Sequence, residues 1–174
     1  AYQYLNAHND ILQSVADDLK VTQLNDVAGK VQALQAQVKE LQQKQATLEG
    51  KLAGEQAGAV FETVNQAGQY TLISGTVQVS KMDQLRALAD TWREKALSDV
   101  LVLGAEVNGK ANLLVAVSAD KQKQVKAGDL IKAIAPKING GGGGRPNLAQ
   151  AGGKNPAGLP DAMSAAADWL AEQD

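Results

Sequence analysis

Apolar residues recur alternately every three and four positions between residues 24 and 52, which is the heptad pattern of a coiled-coil helix. A shorter apolar stripe of helical spacing precedes it over residues 5–19, and the polar segment 21–25 between them predicts a turn. The two helices would form an antiparallel hairpin of unequal arms, of roughly 18 and 32 residues. The far half of the longer seam must then pack on the following domain or on a second copy of the chain. The seam residues are Leu24, Val27, Val31, Leu34, Val38, Leu41, Leu48 and Leu52, with a polar break at Gln45.

Beyond residue 58 the hydrophobic period changes to two, as in β-strands. Gly54 and Gly58 are expected to end the long helix, and strands are expected over 60–64, 69–77, 99–107 and 111–118. Asn108–Gly109 is a typical hairpin-turn pair, and helical spacing returns over 81–97, 130–138 and 159–170. The sequence therefore predicts an α+β fold, in which a coiled-coil-like helical hairpin (residues 1–58) precedes a small mixed-sheet globular domain with flanking helices (residues 59–174).

The segment 140–153 places seven glycines within fourteen positions. Glycine is the costliest residue to order on folding, so this glycine-rich loop is either a flexible linker or bare backbone that contacts a ligand. Residues 121–160 carry seven basic side chains and one acidic one, whereas the net charge of the whole chain is −2. Exposed N–H groups in a positive field favour an anion such as phosphate. The candidate nucleic-acid-binding residues are Lys126, Lys132, Lys137, Gly140, Gly141, Gly142, Gly143, Gly144, Arg145, Gln150, Gly152, Gly153 and Lys154.

The residue types needed for catalysis are scarce in this chain. It has no cysteine and a single histidine, His8, in the first helix, so neither a metal site nor a Ser–His–Asp triad is expected. The glycine run does not follow a strand and lacks the Gly-Lys-Ser/Thr ending of a nucleotide-binding P-loop. No catalytic residue and no cofactor are therefore predicted. The absence of a leader and of a long apolar run fits a cytoplasmic protein.

The order of these features resembles one family, the C-terminal domain of bacterial alanyl-tRNA synthetases, a module that also occurs beside DHH-family phosphoesterases. The matching stretch is Gly140–Gly144, Arg145 and Pro146, followed by Ala149–Gly153. It is preceded by the sequence VSADKQKQVKAGDLIKAIAPKI and followed by a closing helix. The resemblance covers essentially the whole chain and departs at Asn147, where an acidic residue is expected.

The resemblance implies a non-catalytic module that holds the outer corner, or elbow, of tRNA. The aminoacylation and editing domains would lie upstream in the same enzyme and would share one bound tRNA. The resemblance also implies that the arm takes part in dimer contacts, and the candidate seam for a homodimer is Leu34, Val38, Leu41, Leu48 and Leu52. Residues 121–168 contain no aromatic side chain on which single-stranded bases could stack, which favours a folded RNA as the ligand.

Other interpretations of the same residues stay open. The chain could be a coiled-coil dimerisation module whose basic glycine segment is incidental. It could equally be a general nucleic-acid-binding domain. A nucleotide-binding enzyme that uses the glycine loop is less well supported, because no general acid or base is evident in the sequence.

Overall fold

The computed structural model describes residues 2–173 and divides the chain into two compact units, up to Leu48 and from Glu49 onward. The first unit contains helix α1 (Tyr2–Asp18), a 3-10 turn and most of helix α2 (Val27–Phe61). The side chains of Val38, Leu41 and Leu48 on the predicted seam are 53%, 64% and 66% exposed. Within the described residues of the first unit, these three side chains of the apolar stripe are therefore left uncovered.

Helix α2 continues through the two glycines at which the sequence predicted it to end. Its last turns belong to the second unit, where Ala53 and Ala57 are buried. Val60 packs so closely on the sheet that a Cβ on Gly75 would lie 2.8 Å from its methyl carbon. This packing offsets the cost of about 1 kcal/mol that each glycine adds inside a helix. The predicted strand over 60–64 is wrong, because this packing keeps Val60 and Phe61 in the helix. The division between the two compact units lies ten residues before the predicted domain boundary.

The second unit is built on a six-stranded sheet, whose strands are β1 (Val64–Ala67), β2 (Tyr70–Thr76), β3 (Val100–Val107), β4 (Lys110–Val117), β5 (Gly140–Gly144) and β6 (Leu148–Gly153). Their order in the sheet is β1-β2-β3-β4-β6-β5. Strands β2 and β3 are parallel because helix α3 (Met82–Lys95) connects them, and the other neighbouring pairs are antiparallel. The predicted hairpin turn is confirmed, since Asn108 and Gly109 both have left-handed φ values of 52° and 72°.

Helices cover the two faces of the sheet unequally. Helix α4 (Ala127–Ile134) and helix α5 (Leu159–Ala171) pack on one face, against residues such as Leu113 and Ala151. Helix α3 and the end of α2 pack on the other face, against residues such as Leu114 and Ala116. This second helical layer covers the sheet only as far as β4 and the start of β6, so among residues 2–173 none covers this face over the rest of β6 and over β5.

Candidate nucleic-acid interface

The glycine-rich segment forms a β-hairpin, which corrects the predicted loop over 140–153. All five glycines of the run lie in edge strand β5, which pairs with β6 along its length. Arg145 and Leu148 exchange backbone hydrogen bonds, with N–H to O distances of 2.9 and 3.3 Å, and so close the turn. Pro146, whose fixed φ suits the second position of a β-turn, lies between them.

Alternate glycines of β5 are required by the fold itself. A Cβ on Gly140, Gly142 or Gly144 would lie 2.1, 2.2 or 2.4 Å from a backbone oxygen of β6. Gly153 on β6 likewise has no room for a side chain, because its Cβ would lie 2.1 Å from the carbonyl oxygen of Ile138. At these positions glycine permits two backbones to approach closely. Four of the predicted site glycines therefore have a structural reason that needs no ligand.

The remaining glycines lie on the uncovered face of the sheet. Nothing lies within 4 Å of a Cβ built on Gly141 or Gly143, and on Gly152 it would meet only the side chain of Asn112, at 3.8 Å. The strand register aligns Asn112, Gly152 and Gly141 in one row and Leu114, Gln150 and Gly143 in the next. We call the surface formed by Gly141, Gly143, Gln150, Gly152 and Asn112 the open face. Its glycines are not required for packing, so they leave bare backbone accessible.

An arginine that the sequence analysis did not single out borders this open face. Arg86 of helix α3 donates from Nη2 to Oε1 of Gln150 at 2.9 Å and from Nη1 to Asp83 at 3.2 Å. Together with Gly143, Arg145 and Asn147, it lines a shallow depression at the turn end of the hairpin. In the sequence, Arg86 looks like an ordinary arginine that pairs with Asp83 at i,i+3 spacing on a solvent-exposed helix face. Only the packing of helix α3 on the sheet brings it to Gln150, which is 64 residues away.

The predicted lysines are distributed around the hairpin rather than gathered at one point. Lys126 immediately precedes Ala127, whose N–H donates to the Pro146 carbonyl at 2.9 Å, so it lies beside the turn. Lys132 belongs to α4, which covers the opposite face of the sheet, and is therefore remote from Gln150. Lys137 lies in a 3-10 turn just before β5.

The far end of the hairpin forms a second shallow depression. Lys154, which directly follows β6, lines it together with Lys110 and three asparagines. Two of these asparagines, Asn108 and Asn139, have left-handed backbones of φ 52° and 50°. Basic side chains are therefore present at both ends of the open face.

The described residues contain no group of three or more histidine or acidic side chains placed to hold a metal ion. Across residues 2–173, no helix is long and apolar enough to cross a membrane. The open face presents bare peptide groups and amides, with basic side chains at its two ends.

Comparison with known proteins identifies relatives of this chain. Residues 69–172 match the family described as the DHHA1 domain. The chain is 82% identical to the alanine–tRNA ligase of Levilactobacillus brevis and 58% identical to that of Lactiplantibacillus plantarum, over 99% of its own length and 20% of theirs. A solved structure, the C-Ala domain from Aquifex aeolicus alanyl-tRNA synthetase, matches with a TM-score of 0.58 at 32% identity, over 63% of this chain and 98% of that one. The chain thus spans about one fifth of the length of the curated relatives it matches.

Proposed function

The chain belongs to the DHHA1 domain family, as the C-terminal domain of alanyl-tRNA synthetase, and from that premise we propose that it is the non-catalytic tRNA-binding module of an alanine–tRNA ligase. The module holds the elbow of tRNA on the open face of its glycine hairpin. In this proposal the aminoacylation and editing sites belong to other parts of the cytoplasmic ligase. The module keeps one tRNA within reach of both sites.

The observation that carries the proposal is the combination of an unobstructed backbone surface with two arginines. Gly141 and Gly143 leave the strand without side chains on the side that no helix covers. Arg86 and Arg145 lie at one end of this surface, where each planar guanidinium can donate two hydrogen bonds to a phosphate. The hydrogen bond from Arg86 occupies the side-chain oxygen of Gln150. The side-chain nitrogen of Gln150 therefore remains as a donor for the ligand. Bare backbone and bidentate cations together suit a phosphodiester.

A folded RNA fits this surface better than an extended strand does. Neither depression at the ends of the open face is lined by an aromatic side chain. Proteins that bind single strands without sequence preference usually stack the bases on such rings. Contacts here must instead be made to phosphate and ribose groups held in a fixed shape. The tRNA elbow supplies such a shape.

A competition titration tests this proposal. Labelled tRNA bound to the 174-residue chain is challenged with unlabelled tRNA, duplex DNA and a single-stranded RNA of the same length, at one fixed salt concentration. We expect tRNA to compete at least tenfold better than either other nucleic acid, because only the folded RNA fits both ends of the open face. Equal competition by all three would support a general nucleic-acid-binding domain instead.

We also propose that the arm mediates self-association, since its seam is exposed in the single chain. Leu41 and Leu48 are each about two thirds exposed and are separated by one heptad. Two such seams can bury one another in a coiled coil.

Leu41→Asp combined with Leu48→Asp is expected to convert a dimer into a monomer, because buried carboxylates at the seam cost several kcal/mol. Sedimentation at tens of micromolar measures the change. Circular dichroism and the tRNA affinity per chain serve as controls and should stay close to those of the parent. A parent chain that sediments as a monomer at this concentration would rule out dimerisation through the arm.

A further inference from the structure

We propose that Lys110, Asn112, Gly152 and Lys154 form a second RNA-backbone subsite, at the opposite end of the open face from Arg145. The subsite takes a ribose and its adjoining phosphates. It rests on the proposed tRNA-binding function and extends the contact surface to a hairpin outside the basic glycine segment. We call it the far subsite.

The strand register brings these residues together from two separate stretches of sequence, 110–112 and 152–154. Asn112 on β4 is aligned with Gly152 on β6, and Gly152 is aligned with Gly141 on β5. Lys110 lies two residues before Asn112 on β4 and thus on the same face of the sheet. With Lys154, these residues border one depression. Neither lysine is engaged in any ion pair formed within residues 2–173.

The floor of the far subsite has the polarity that a ribose hydroxyl requires. The side-chain nitrogen of Asn112 donates one hydrogen to the Lys110 carbonyl oxygen at 3.1 Å, which fixes the amide in place. Its second N–H and its carbonyl oxygen remain, one donor and one acceptor. The oxygen lies beside Gly152, since a Cβ added to this glycine would be 3.8 Å from it. A 2′-hydroxyl both donates and accepts, so it matches this pair.

The distance between the two ends makes the far subsite a separate contact. Strand β6 has six residues, from Leu148 to Gly153. At about 3.3 Å per residue, the Arg145 end and the Lys154 end lie on the order of 20 Å apart. No single phosphate reaches both ends. An RNA that occupies the whole open face therefore contacts two cationic ends across a floor of glycine and amide groups.

Two variants of the 174-residue chain test the far subsite, with a tRNA transcript and the DNA strand of the same sequence as probes. Lys110→Ala combined with Lys154→Ala should weaken tRNA binding by about tenfold and lower the slope of log affinity against log salt by about 1 per lysine. Gly152→Ala should fold normally, because its Cβ meets only an ordinary contact at 3.8 Å. It should nevertheless weaken tRNA binding about fivefold and DNA binding less than twofold, since the methyl group occupies the place of the ribose 2′-hydroxyl, which DNA lacks.

Lys132→Ala is the matched charge control, because it removes a lysine of the same domain from the opposite face. Its effect should stay below twofold. If Arg145→Ala weakens tRNA binding but both far-subsite variants bind like the Lys132 control, the far subsite is wrong and the proposed function stands. If the parent chain shows no preference for tRNA over DNA, the proposed function and the far subsite both fail.

Discussion

Replacing Arg86 and Arg145 together with alanine is expected to weaken tRNA binding by about 30- to 1,000-fold, or about 2–4 kcal/mol. Each arginine lies at the same end of the open face, and each can give a phosphate two charge-assisted hydrogen bonds. The salt slope should fall by about 0.7 to 0.9 for each phosphate contact that is lost. Isothermal titration of tRNA at several salt concentrations measures the affinity and the slope together.

A matched control for Arg86 is available on the same helix. Arg93 forms an i,i+3 ion pair with Asp90 at 2.9 Å, as Arg86 does with Asp83 at 3.2 Å. It borders a different depression, beside Asp99, and not the open face. Arg93→Ala should therefore bind tRNA within twofold of the parent. Equal losses for Arg86→Ala and Arg93→Ala would mean that only the overall charge matters, and that Arg86 is not a contact residue.

Gly142→Val is expected to destabilise the globular unit by about 3 kcal/mol or more, which exceeds the ordinary cost of overpacking. The new Cβ would lie 2.2 Å from the Gln150 carbonyl oxygen and 2.5 Å from the Cα of Ala151, so the strand pair must separate. Backbone atoms cannot move aside as the end of a flexible side chain can. Urea denaturation followed by circular dichroism measures the loss, and tRNA binding should disappear along with the native hairpin.

The same substitution one residue later should have the opposite effect on stability. A Cβ on Gly143 meets nothing within 4 Å, and valine is favoured over glycine in strands. Gly143→Val should therefore match the parent in stability or exceed it by up to about 1 kcal/mol, while its isopropyl group obstructs the open face and weakens tRNA binding. Comparable destabilisation by both variants would contradict the alternating arrangement of the glycines. Normal tRNA binding by a stable Gly143→Val variant would exclude strand β5 from the interface.

The sequence predicted the elements whose side chains have a clear period. Helix α2, the apolar face of α3 and the Asn108–Gly109 hairpin are all present in the structure. Strands β5 and β6 were missed, because glycine has neither a side-chain period nor strand propensity, and close backbone approach leaves no pattern in a sequence. Glycine also misled the prediction of the end of α2, where burial of Ala53 and Ala57 outweighs local propensity.

The candidate site was predictable only in part, for the same physical reason. Local charge and glycine content identified the segment that contains Arg145 and Gln150. They could not separate Gly143, where a side chain would have free space, from Gly142, where a side chain would clash with the backbone of β6. They also could not bring Arg86 or Lys110 to the surface, since helix α3 packing on the sheet places the first there and strand register places the second. Lys132 had the right charge but lies on the helix that covers the other face.

The most direct test of the central proposal is the change in backbone amide NMR signals when tRNA is added to isotopically labelled chain. Binding on the open face predicts the largest shifts at Gly141, Gly143 and Gln150 and at the Arg145 turn. It also predicts little change along α4, including Lys132, because this helix covers the opposite face. Shifts concentrated on α4 or on the arm, with the glycine amides unchanged, would contradict the account.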